Sequence, residues 1–170
     1  GQALPDAQDP WPSISASAIA FDAGWHGPQP LDGDGMDRVT DAFVHAARRA
    51  VRLGFEVVEL HSAHGYLLHQ FLSPLSNQRD DAYGGTRADR VRFPLQVLEA
   101  VRAVVPSGVA LGMRISATDW VEGGWDVDDS IEYVGAAQSI GIDYVCVSSA
   151  GLTAQARVPV GPGYQVPAAA

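Results

Sequence analysis

A chain of 170 residues that is 46% hydrophobic carries enough apolar mass for one domain with its own core, which argues against global disorder. Its net charge of −9 and pI near 4.7 argue against nucleic acid or an anionic membrane as the main partner, because a phosphate surface needs clustered Lys and Arg. Arg48, Arg49 and Arg52 do cluster, but as the wet face of a helix. The single cysteine, Cys146, excludes an internal disulfide, and its apolar run Tyr144-Val-Cys-Val147 reads as a buried thiol in a reducing, cytoplasmic setting. No apolar stretch approaches the ~18 residues that cross a bilayer, and no signal peptide is visible.

Residues 1–35 are rich in Pro, Gly and Asp and read as loop, with one short extended piece near Ile14 to Phe21. Asp32-Gly-Asp34-Gly35 has the look of a calcium loop but lacks its closing Glu. It reads better as a turn whose Asp34 or Asp37 caps the next helix. Val39, Phe43, Ala46, Ala47 and Ala50 then fall at helical spacing, which predicts a helix over 37–53 ended by Gly54. A strand follows over 55–61. Residues 62–90 read as a long loop with a short helix near Tyr66 to Leu72. The next helix spans 90–105, stopped by Pro106 and Gly108. A strand over 109–115, a loop over 116–125, a helix over 128–140 ended by Gly141, and a strand over 142–148 complete the pattern. Residues 149–170 return to Gly- and Pro-rich loop.

Nearly continuous apolar strands separated by helices describe a parallel sheet buried on both faces. A doubly wound sheet and a (β/α)8 barrel both fit. Two details favour the barrel. No Gly-x-Gly-x-x-Gly follows any strand. Polar residues instead sit at successive strand tips: His61, Arg114, and Ser148 with Ser149. A whole barrel takes ~250 residues and eight strands. Three or four βα units make only an arc with two open edges. The expectation is therefore a single α/β domain over 1–170 that is part of a TIM barrel. The start without Met and the close at Pro167-Ala-Ala-Ala170 add the expectation of a fragment.

The chemistry concentrates in Phe55-Glu-Val-Val-Glu-Leu-His61-Ser-Ala-His64-Gly-Tyr66. Two imidazoles three residues apart at a strand end can converge on one carbonyl or nitro oxygen and stabilise the negative charge that grows there. A tyrosine, with its ordinary pKa of ~10, is protonated at neutral pH and can donate a proton. That set suits a reaction that makes and quenches an enolate. It lacks a source of hydride, so a cofactor is required. Arg114 ends an apolar strand, where an unpaired charge is costly. It calls for a carboxylate (Asp119, Asp143 or Glu59) or for the electron-rich edge of a cofactor. Zinc on His61, His64 and His69, with Asp80 or Glu59, is the competing use, although the spacing matches no His-Glu-x-x-His signature. His26 and His45 are isolated and read as surface. Ser73 to Gly85 reads as a long loop tied down by Asn77, Arg79 and Asp81, rather than a lid. Trp120 and Trp125 read as core or pocket rim.

Beyond these motifs the chain resembles the Old Yellow Enzyme family of FMN-dependent ene-reductases, in its branch of NADPH dehydrogenases and xenobiotic reductases. The resemblance is carried by Gly54 to Gly85, by Arg90-Val-Arg92-Phe93, by Met113-Arg114-Ile-Ser116-Ala and by Pro162-Gly-Tyr-Gln165. The matches run in order from Ser17 to Gln165. Asp89 stands where the family usually has Asn, and Ala16-Ser17-Ala18 replaces Ala-Pro-Ser-Ala. The resemblance implies a TIM barrel holding FMN noncovalently at its C-terminal strand ends, with NADPH as electron donor. In it, His61 and His64 match the pair that binds the activating oxygen of the substrate. Tyr66 matches the proton donor, and Arg114 the arginine beside the flavin's N1 and O2 edge. The substrates it implies are activated alkenes, nitro compounds or quinones, and a homo-oligomer is compatible with the full-length form. The early strands and the phosphate-holding late strands of the family are not matched, so an inactive fragment that does not retain FMN is the alternative. A metal-dependent hydrolase on a similar barrel is the more distant one.

Overall fold

The computed structural model describes residues 11–170. The first two strands are short: β1 (Ile14–Ser15) and β2 (Gln29–Pro30) pair in parallel. Helix α1 (Gly33–Arg52) begins earlier than its apolar spacing suggests, because Asp32, not Asp34 or Asp37, is its cap. The Asp32 carboxylate accepts from the Gly35 N–H at 2.7 Å. A side chain at Gly35 would collide with Leu31 and Asp32, so glycine is what lets the cap close.

The main sheet has three parallel strands, β3 (Val57–Ser62), β4 (Ala110–Ser116) and β5 (Tyr144–Ser148), in the order β3-β4-β5. Between β3 and β4 lie α2 (Leu67–Leu72), α3 (Arg87–Arg90) and α4 (Arg92–Arg102). Helix α5 (Val127–Ile140) joins β4 to β5, and α6 (Val166–Ala169) closes the described chain as a four-residue helix in the expected loop. The single helix expected over 90–105 is two pieces that break at Val91. Pro94 gives the reason: it has no N–H for the Arg90 carbonyl, and its ring would strike that oxygen in an unbroken helix. Thr86 caps the first piece. Helix α5 carries a full capping box, Asp126 with Asp129, and ends on Gly141 in the left-handed conformation.

Register decides which side chains share a face. His61 pairs with Arg114 and Arg114 with Cys146; two residues earlier Glu59 pairs with Gly112 and Gly112 with Tyr144. These residues form one face of the sheet. Leu60, Leu111, Met113 and Ile115 form the other, each at most 3% exposed, and pack with Phe71, Phe93 and Tyr133 of the helices in one core cluster. Each such side chain contributes roughly 1.5–3 kcal/mol on burial. Helix α1 packs against α4, and α4 against α5. The sheet is thus helix-covered on one side and polar on the other, where Glu59, Arg114, Tyr144 and Cys146 lie. Cys146 is half-buried rather than sealed in a core. Tyr144 lies across Gly112, where any side chain would collide with its ring, and donates to Glu59 Oε2 at 3.0 Å.

The segment from Ser73 to Gly85 is the tied loop expected of it. Asn77 Nδ2 donates to the carbonyls of Phe71 and Tyr83, both at 2.7 Å. Arg79 pairs with Asp81 and donates through NH1 to the carbonyls of Ala16 and Leu31 at 3.0 and 2.7 Å. That guanidinium therefore fastens the N-terminal segment to the loop that follows α2.

Candidate active site

The C-terminal ends of β3, β4 and β5 deliver His61 beside Arg114 and Ser116 beside Ser148, followed by the turns that carry His64 and Ala150. The His61 and His64 rings lie 5.1 Å apart between centroids, and His61 and Tyr66 5.3 Å apart. The three rings named by the sequence do cluster. Tyr66 is 64% exposed, so its hydroxyl can be recharged with a proton from water.

Burial is the largest influence on both imidazoles, and it pushes their pKa values below the usual 6.5. Arg114 lowers His61 further, and His61 and Arg114 lower His64. Both rings are therefore neutral near pH 7, each with one N–H to offer. His64 Nε2 lies 2.6 Å from the Ser148 hydroxyl, which also accepts from Gln165 Nε2 at 3.3 Å. One His64 nitrogen is thus already engaged.

Arg114 forms no ion pair among the described residues. Its three candidate carboxylates are occupied: Glu59 by Tyr144, Asp143 by Arg102 and the Leu111 N–H, and Asp119 by His69, Ser73 and Trp125. Arg114 Nε is buried without a hydrogen-bond partner. A buried guanidinium nitrogen left unpaired, on the face that carries His61, fits an electron-rich cofactor edge such as the flavin pyrimidine.

The zinc set is not assembled. His69 is fully buried against Asp119, 3.0 Å from Nε2 to Oδ1, and no group of three His, Cys, Asp or Glu side chains among the described residues is placed to hold a metal ion. Trp125 is core, donating to Ser130 at 2.7 Å, whereas Trp120 lines a cavity of about 180 Å³ with Tyr164, Gln165 and Ser149. A larger cavity of about 510 Å³ lies between the N-terminal segment and the turns after β3 and β5, walled by Phe21, Trp25 and Gln70.

Sequence reasoning missed how the His64 turn is held. His64 and Gly65 both have positive φ, 57° and 74°. The turn crosses Ala150–Gly151 so closely that a side chain at Gly65 would strike the Gly151 carbonyl. Ser116 Oγ accepts from the His64 N–H at 2.9 Å and donates to the Ala150 carbonyl at 2.8 Å. The position of Ser116 at the tip of β4 was the available signal, but its partners lie 52 and 34 residues away.

Parallel strands joined by helices, with paired imidazoles, a phenol and an unpartnered arginine gathered at their C-terminal ends, are the architecture of part of a β/α barrel. The profile of the NADH:flavin oxidoreductase / NADH oxidase family matches residues 7–168, and the chain belongs to that family. An NADPH dehydrogenase of Geobacillus thermodenitrificans is 44% identical over 91% of this chain and 44% of its own length. An NADH:flavin oxidoreductase of Gibberella zeae is 39% identical over 92% of this chain and 41% of its own. Among solved structures, morphinone reductase bound to tetrahydroNAD (an N189A mutant) superposes with a TM-score of 0.72 at 27% identity, covering 97% of this chain and 48% of that one. The old yellow enzyme homologue of Zymomonas mobilis gives 0.70 at 26% identity, covering 79% and 41%. The fold is accordingly part of a TIM barrel, and the chain spans under half the length of these relatives.

Proposed function

We propose that these residues form the substrate side of an FMN-dependent NADPH:acceptor oxidoreductase that reduces the C=C bond of enones, or nitro and quinone compounds. The observation that carries this reading is the cluster of His61, His64 and Tyr66 beside the unpartnered Arg114 Nε. Relatives named NADPH dehydrogenase favour NADPH as the donor. Bound FMN, reduced by NADPH, supplies the hydride that reaches the β-carbon of the alkene. Arg114 would hold the flavin's pyrimidine edge. His61 and His64 each direct an N–H at the activating oxygen, where negative charge grows as hydride arrives. Tyr66 gives its phenolic proton to the α-carbon and regains one from solvent. The product is the saturated carbonyl compound.

The test is spectroscopic. Expressed from its complete coding sequence, the protein is expected to be yellow, to bleach with NADPH and to recover its colour with an enone. A phenol bound above the flavin gives a charge-transfer band. His61→Ala and His64→Ala are each expected to weaken phenol binding about 10-fold or more, as loss of an oxyanion donor does. An unchanged band in both variants, or a colourless wild type, would count against the assignment.

A further inference from the structure

We propose that Ser73, Asp119 and His69 form a buried positioning chain that locks the left-handed His64–Gly65 turn and thereby aims the His64 imidazole beside His61. Its effect on ligand rests on the function proposed above; its grip on Gly65 does not. Two consecutive residues lie at positive φ, and of these the glycine adopts it freely while the histidine sits in a sparsely populated backbone region. The polar backbone atoms of the turn are held by side chains. The His64 N–H donates to Ser116 Oγ at 2.9 Å, the Gly65 N–H to His69 Nδ1 at 2.9 Å, and the Gly65 carbonyl accepts from Gln70 Nε2 at 2.7 Å.

The His69 link fixes a tautomer. A nitrogen that accepts an N–H bond carries no proton, so the ring's proton sits on Nε2. Nε2 faces Asp119 Oδ1 at 3.0 Å, off line for an ideal bond and with no alternative partner, both side chains fully buried. Asp119 is in turn held by the Ser73 hydroxyl at 2.6 Å and the Trp125 N–H at 2.8 Å. Burial alone would raise the Asp119 pKa, but His69 first, with Ser73 and the Trp125 N–H behind it, outweighs burial and the net shift is downward. A simple buried ion pair would hold a doubly protonated imidazole. Here the second nitrogen accepts from the backbone beside His64, so the carboxylate sets the tautomer and the tautomer sets the turn.

Imidazole 15N spectra and amide hydrogen exchange on the 15N-labelled chain test this directly. The expected result is His69 with its proton on Nε2, and a slowly exchanging Gly65 amide. His69→Leu should speed that exchange at least tenfold. His69→Asn, whose side-chain oxygen sits near the Nδ1 position, should stay within twofold of wild type. Asp119→Asn covers the event that the leucine variant does not fold: it should move the His69 proton to Nδ1 and release Gly65. In the FMN-loaded protein, the leucine variant should weaken the phenol band and the asparagine variant restore it. A wild-type His69 protonated on Nδ1, or equal Gly65 exchange in the leucine and asparagine variants, would overturn the proposal. A wild type with the expected His69 and Gly65 signals but no phenol band would sink the functional reading and leave the positioning chain in place.

Discussion

Arg114 and His61 are neighbours across two strands, and the charge of the first acts on the second. The guanidinium keeps His61 short of protons, but burial is the larger influence. Arg114→Ala should therefore raise the His61 titration midpoint without bringing it all the way to 6.5. His64 should follow in the same direction, because Arg114 also lowers it. NMR titration of the ring protons reads both, and an unmoved His61 would contradict the pairing. At this scale the sequence was informative about chemistry and silent about support. His61, His64, Tyr66 and Arg114 stand out by residue type at strand tips. The roles of Ser116, Asp119 and His69 were not legible, since the sequence offered Asp119 only as a partner for Arg114 and His69 only as a zinc ligand, and their actual partners are brought near by the finished sheet.

Apolar spacing located every helix longer than six residues. It missed boundaries wherever a side-chain cap or a proline outranked periodicity. Helix α1 starts on glycines that carry no pattern, and Asp32 is what fixes its beginning. The α3–α4 break follows from Pro94, a residue in plain sight whose effect falls four positions upstream. The short parallel pairing of β1 with β2 lay beyond pattern altogether, since strands of two residues have no period to read. Helix α5 carries an acidic first turn and a capping box that uses both Asp126 and Asp129. Asp126→Ala should cost about 1 kcal/mol of stability. Denaturant unfolding followed by circular dichroism measures it. An effect below a few tenths would show that tertiary packing of Tyr133 and Ala137 alone holds the helix.

For the molecule as a whole, acid is the natural weakness. His61 and His64 have pKa values below 6.5 when folded, so the unfolded chain takes up protons first as pH falls. Folding stability must decline from about pH 6.5 downward until both rings are protonated in the native state too. Asp119 works in the other pH range. Its folded pKa lies below the usual 3.8, so its contribution is complete above that value and is lost as pH drops through the folded pKa. Urea unfolding midpoints at pH 8, 5.5 and 3.5 should fall in that order. A midpoint equal at pH 8 and 5.5 would mean that the imidazoles are not depressed. The barrel assignment was legible because strand, helix and polar tip recur in register along the chain. The two-sided nature of the sheet was not, because an apolar run of seven residues does not reveal that alternate members point at Glu59 and Tyr144.

The hydroxyl of Ser148 keeps His64 Nε2 hydrogen-bonded in the resting site. On the function proposed above, an incoming carbonyl that takes its bond from His64 Nε2 displaces that hydroxyl, so at this nitrogen a neutral guest trades one modest bond for another. A phenolate or a nascent enolate brings full charge to the exchange and wins it. On that same function, the serine would thus act as a gatekeeper of polarity at His64, favouring guests that are already anionic or about to become so.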